Sequence, residues 1–248
     1  MYDHILARIR KLLAKAENPA ASPAEAEAYT AKAAELIAKY GIDRALLAQR
    51  DPTSDVVGDL VVEVDPPYAL DKAVLLQRVA VELRCAAVQR TRYDAGTKQL
   101  SIHLFGFESD LVRTELLYTS LLLQATSNLA RTSAPFGESV AAFRRSWLAG
   151  FTTAVTRRLR EAEARAQQQA AGQAGRTAEE GERSVALALA DRTRDVARAM
   201  KAAYPHLRQA QPRSLSGSGR ASGYAAGQRA DLGGARVDRG ARRSIAGA

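Results

Sequence analysis

Along residues 71–130 the spacing of apolar positions changes period twice. Leu75, Leu76, Val79, Ala80 and Leu83 recur at helical spacing, with Asp71 placed to cap them. Residues 84–91 are short and β-compatible, Asp94, Ala95 and Gly96 carry turn chemistry, and Leu100, Ile102 and Leu104 alternate with Ser101, His103 and Phe105. From Ser109 and Asp110 the helical period returns through Leu111, Val112, Leu116, Leu122, Leu123 and Leu129. The pattern predicts helix, strand, turn, strand, helix, with the apolar face of a hairpin lying on helices. Leu60, Val61, Val62 and Val64 predict a further strand that Pro66 and Pro67 stop. It joins the hairpin in a sheet of at least three strands, because an isolated hairpin is marginal in water. Gly106 reads as a sharp exit from the strand and not as a ligand loop.

Upstream, Ile5, Leu6, Ile9, Leu12, Leu13 and Ala16 mark one face of a helix that Asp3 caps and Asn18-Pro19 ends. Ser22, Pro23 and Glu25 form a capping box with proline at the first helical position. Ala33, Leu36, Ile37 and Tyr40 make a second stripe, and Gly41 is placed as the left-handed residue that closes it. Two helices this short are marginal alone, so their stripes pack on each other or on a partner. Residues 45–50 read as a short third helix and residues 51–54 as a linker. Arg8, Arg10, Lys11 and Lys15 give the first helix a basic face; Glu25, Glu27 and Glu35 on the second offset it, which favours simple solvation over phosphate contact.

The run ILARIRKLLAKAENP followed by SPAEAEAYTAKAAELIAKYGID resembles the domain of unknown function numbered 2786. The resemblance covers residues 5–43. It implies a helical hairpin followed by a second uncharacterised α+β domain of the kind the 71–130 pattern describes. It brings no activity and no catalytic motif, so no functional residue is carried over.

After Pro135, Phe136 and Gly137 the chain predicts its most basic helix. Phe143, Trp147, Phe151 and Val155 recur every four residues, Leu148 and Leu159 widen the stripe, and Arg144, Arg145, Arg157, Arg158 and Arg160 lie beside it. Rings at burying periodicity are core rather than a base-stacking platform, which needs exposed rings. Beyond Glu161 the pattern dissolves, and residues 172–181 read as a frayed helix end and linker. The run Val185, Ala186, Leu187, Ala188, Leu189 predicts one more strand, with Thr193 capping a helix through Val196, Met200 and Tyr204 that Pro205 ends.

From Arg208 onward the chain is rich in Gly, Ser and Arg. Arg208, Arg213, Arg220, Arg229, Arg236, Arg239, Arg242 and Arg243 stand against Asp231 and Asp238, six of the nine net positive charges of the whole chain. Such a segment buries too little apolar surface to offset the entropy of ordering it and is expected to be disordered, with one short helix over residues 222–232 forming on a partner. The whole is an α+β chain: a helical hairpin over residues 1–50, a small antiparallel sheet packed on long helices over 59–207, and a basic flexible tail over 208–248.

The sequence carries little catalytic chemistry. The pI near 9.9 points to an anionic partner, although a composition heavy in Ala, Gly and Arg also follows from GC-rich coding. One cysteine, Cys85, excludes an intramolecular disulfide framework and a multi-cysteine zinc site, and it reads as a small buried hydrophobe. His4, His103 and His206 sit in no metal-binding spacing, and no P-loop, GxGxxG or GxSxG is present. His103 with Glu108 and Asp110 is the weak polar candidate, and a cross-strand polar role is the simpler reading. No cofactor is expected, no catalytic or metal residue is assigned, and neither a signal peptide nor a membrane span is read, so a cytoplasmic protein is the expectation. The leading reading is a non-enzymatic accessory protein that binds DNA or RNA through phosphates, using Arg144, Arg145, Arg157, Arg158, Arg160, Arg213, Arg220, Arg229, Arg236, Arg239, Arg242 and Arg243. Two alternatives stay open: an enzyme of unrecognised type acting on nucleic acid, and an assembly or adaptor protein that engages a protein partner through the N-terminal hairpin.

Overall fold

Phe143, Trp147, Phe151 and Val155 present one continuous face, and the computed structural model buries all four to 4% exposure or less. They lie on α5 (Val140–Ala174), the longest helix. The structure describes residues 2–16, 23–94, 97–174, 178–208 and 213–230. Ahead of α5 come α1 (Tyr2–Ala16), α2 (Pro23–Arg50), β1 (Val57–Glu63), α3 (Ala69–Glu82), β2 (Ala86–Asp94), β3 (Thr97–Phe107) and α4 (Glu108–Ala130). Behind it come α6 (Ala178–Ala203) and α7 (Arg220–Arg229).

The architecture is α+β, with the period-2 segments forming one antiparallel sheet in the order β1-β3-β2. Alternation along β3 separates the two faces of that sheet. Leu100, Ile102 and Leu104 enter the main core with Leu75, Leu76 and Val79 of α3 and Leu117 and Leu121 of α4. Phe105 and Phe107 point the other way, against Val88 and the Val196 side of α6. Ile9 of α1 and Ala33 and Ile37 of α2 belong to the same main core. The α1–α2 pair therefore packs through its expected stripes, and those stripes also touch the rest of the molecule.

Several local expectations are corrected by tertiary context. Gly41 does not end a helix: α2 runs unbroken through it and through residues 45–50. A side chain at Gly41 would occupy the position of the Arg113 guanidinium. Its cost in the helix, about 1 kcal/mol relative to alanine, makes room for a buried charge. Residues 52–54 form a 3-10 turn capped by Asp51, whose side chain accepts from the Thr53 amide. Asp71 is not the cap of α3; Tyr68 is, in left-handed backbone at φ 63, and Asp71 sits in the first turn. Gly106 is not an exit but a paired position of β3 opposite Gly58, lying against Cys85 Sγ.

The run 185–189 is helix and not strand, because Val185, Ala188, Leu189, Arg192 and Val196 share one buried face of α6 while Leu187 is 56% exposed. Thr193 lies inside that helix and donates to the Leu189 carbonyl. The frayed end expected over residues 172–181 is helical at 172–174 and from residue 178 onward, and residues 175–177 lie outside the described residues. The short helix expected over 222–232 is α7, and it forms on this chain's own α5. Gly223 lies directly on the Trp147 carbonyl, an approach that no side chain would permit.

Candidate functional site

Two groupings of charge stand out, one interior and one open. The interior group joins the sheet to the helices. Asp110 on α4 is fully buried, yet Arg113 Nη1 lies 2.7 Å and Arg192 Nη2 2.9 Å from its carboxylate. Arg113, also fully buried, reaches Glu163 of α5, and Arg84 Nη1 donates to the other oxygen of that carboxylate at 2.8 Å. Asp55 accepts from the Ser109 amide at 3.1 Å, capping α4, and from Ser109 Oγ and Arg192 Nη2. Burial taken alone would raise the pKa of Asp110, but Arg84, Arg113 and Arg192 together outweigh it and hold the carboxyl below its ordinary range. The Phe107 ring lies 3.7 Å from the Arg192 guanidinium.

These side chains sit on helix faces that also carry Leu117, Leu159 and Val196. The group borders a cavity of about 960 Å³ at its Asp55, Arg192 and Phe107 end, and it ties α4, α5 and α6 to Arg84, just past α3, and to the lead-in of β1. Removing one partner of such a pair costs about 3–5 kcal/mol, whereas the intact pair adds little net stability, so its contribution is to fix the arrangement of the elements.

The open group lies where α3 and α5 run side by side. With the edge strand β2 and residues 213–215 they bound a groove of about 560 Å³, floored by Leu70, Val74, Ala87 and Ala149 and rimmed by Arg78 and Arg213. The groove continues into a depression of about 220 Å³, where Lys98 and Arg145 join Arg213 around Tyr68. Four cations from four separate segments thus surround one connected surface. At its centre Asp71 holds Arg213 Nη1 at 3.1 Å. Burial pushes the Asp71 carboxyl above its ordinary range, against the opposing pull of Arg213 and Arg145.

Of the arginines assigned from sequence, Arg145 and Arg213 are brought together here. The others diverge. Arg144 is half-buried with its Nε unpartnered among the described residues. Arg157 stands over the Tyr224 ring and pairs with Glu161, Arg158 donates to the Gly227 carbonyl, and Arg160 grips both oxygens of Glu82. Arg220 and Arg229 are exposed on α7, and Arg236, Arg239, Arg242 and Arg243 lie outside the described residues. The basic stripe of α5 is therefore largely spent on this chain's own groups. Arg78, Lys98 and Tyr68 were not legible as site residues, because their convergence depends on how α3 and the hairpin dock.

His103 does not meet Glu108 or Asp110. Its Nε2 lies 2.8 Å from Asp59 Oδ2 on the neighbouring strand and its Nδ1 2.7 Å from Tyr204 Oη, a cross-strand polar role that also pins the end of α6. Cys85 is buried beside Thr114, and burial pushes its thiol up to about 12. Among the described residues no group of three or more His, Cys, Asp and Glu side chains has metal-binding geometry. No helix there is long and apolar enough to cross a membrane.

Residues 4–44, which cover α1 and most of α2, match the family described as protein of unknown function (DUF2786). Neither a curated protein nor a solved structure matches the chain.

Proposed function

We propose that the chain is an accessory protein that binds nucleic acid through its phosphates in the groove between α3 and α5. The observation that carries this reading is the convergence of Arg78, Lys98, Arg145 and Arg213 on a single connected surface. Isolated surface cations are ordinary, but cations drawn from a helix, a strand, a second helix and a loop onto one groove focus potential where a polyanion lies. From Arg145 through Ala149 to Thr152 the groove's α5 wall runs about 10 Å at the helical rise of 1.5 Å per residue. Arg78 and Lys98 extend the charged surface to either side of that wall. Phosphate contacts set affinity and position and read no sequence.

Charge reversal separates this groove from the rest of the basic surface. Lys98→Glu with Arg145→Glu should abolish binding of a fluorescent random-sequence oligonucleotide, while Arg157→Glu, outside the groove, should leave most of it. Equal losses in the two variants would overturn the assignment, and degradation of the probe would identify an enzyme instead.

A further inference from the structure

A phosphate groove accepts any polyanion, and what selects among them lies at the tip of the hairpin. Tyr93 is 70% exposed. Along β2 it is in phase with Ala87 and Gln89, both of which line the groove, so its side chain stands on the groove face of the sheet. In the register of β2 and β3 it is paired with Lys98, one of the four groove cations. An aromatic residue packed on its cross-strand neighbour would be covered, and this ring is not. Trp147 and Phe151, the ring pair of α5, are fully enclosed and offer no face to a ligand.

We infer that Tyr93 is a stacking platform for an unpaired base, and that the partner in the groove is therefore a single strand. The inference rests on the phosphate reading of the groove and adds its partner class. Stacking on an aromatic ring is available to every base and needs no sequence, but the base must be free. In a duplex the bases are stacked on one another. A base paired in a duplex leaves no free face for the Tyr93 ring, so stacking there selects a single strand. Lys98 beside the ring then receives the phosphate that follows the stacked base, and Tyr68 in the adjoining depression is the second ring along the same path.

The test uses the full chain and three probes of equal length: a random-sequence single strand, the same strand annealed to its complement, and a single strand made abasic throughout. Tyr93→Ala and Tyr93→Phe are compared with the unaltered protein, and both substitutions fall on an exposed side chain that the core does not use. The single strand should bind tighter than the other two probes. Tyr93→Ala should weaken it about tenfold, towards the abasic strand, without changing duplex or abasic affinity. Tyr93→Phe should bind as the unaltered protein does. If Tyr93→Ala binds the single strand undiminished, or the abasic strand binds equally well, the stacking assignment is wrong, and persisting salt dependence would leave the phosphate reading standing. Salt-insensitive or absent binding to all three probes would remove both.

Discussion

Arg84 stands in left-handed backbone at φ 67 while its Nη1 lies 2.8 Å from Glu163 Oε2, 79 residues further along the chain. The Arg84 amide donates to Val81 and the Cys85 amide to Ala80, the hydrogen bonding that ordinarily follows a helix with glycine at this position. An arginine is tolerated there because its side chain is required in the interior. Arg84→Ala should lose about 3 kcal/mol, the lower end for breaking a buried pair, because Glu163 keeps Arg113 as its remaining partner. Arg84→Gly should retain about 1 kcal/mol more, since it relieves the backbone while losing the same pair. Urea unfolding of the two variants checks the order; alanine at least as stable as glycine would contradict it.

Gly41→Ala places a methyl group where the Arg113 guanidinium lies. Overpacking of this kind costs about 1–3 kcal/mol, and displacement of a buried charge puts this site at the upper end. Alanine has the higher intrinsic helix propensity, so a more stable variant in thermal unfolding would show that the guanidinium is not fixed there.

The buried network sets a pH dependence through Asp110. Its folded-state pKa is lowered, so its contribution is fully present above the unfolded value of about 4 and is lost as pH falls through the folded value. Asp71 has the opposite sign: its pKa is raised, and its ionisation opposes folding above the unfolded value. The stability gap between the unaltered protein and Asp110→Asn should therefore be constant from neutral pH down to about 5 and narrow below 4. A gap that widens on acidification would contradict the assignment.

The sheet, the α1–α2 pair and the bracketing helices were legible because their periods are long and regular. Leu75, Leu76, Val79 and Leu83 leave no alternative to a helix, and Leu100, Ile102 and Leu104 leave none to a strand. Five apolar residues at 185–189 do not decide between the two, and the deciding residue was Arg192, which counts as an interruption in a hydrophobic pattern yet lies on the buried face. Arg113 and Glu163 were hidden for the same reason. Their partners are 50 residues apart in sequence, and no local pattern announces a buried pair. The groove was half legible: Arg145 and Arg213 were named among many arginines, and nothing in the sequence said that these two meet at Asp71. Tyr93 was not legible: the strand reads as residues 84–91 in sequence, and the pairing of Tyr93 with Lys98 depends on β2 continuing to Asp94.

Asp71 places one negative charge among the groove cations, 3.1 Å from Arg213. Asp71→Asn should raise affinity for a single-stranded oligonucleotide about fivefold at low salt, with the gain shrinking as salt screens the site. Fluorescence anisotropy on matched preparations measures it. Weaker binding would mean that Asp71 acts mainly to hold Arg213 in place.

The central claim is that phosphates are held by Arg78, Lys98, Arg145 and Arg213, and the salt dependence of binding tests it most directly. For a single strand each phosphate contact contributes about −0.7 to the slope of log K against log salt, so four contacts give about −3. Arg78→Ala with Arg145→Ala should reduce the magnitude of that slope by about 1.4, while removal of the residues after Ala230 should leave the groove's share in place. A slope near zero, or one unchanged by the double substitution and abolished by the truncation, would contradict the account.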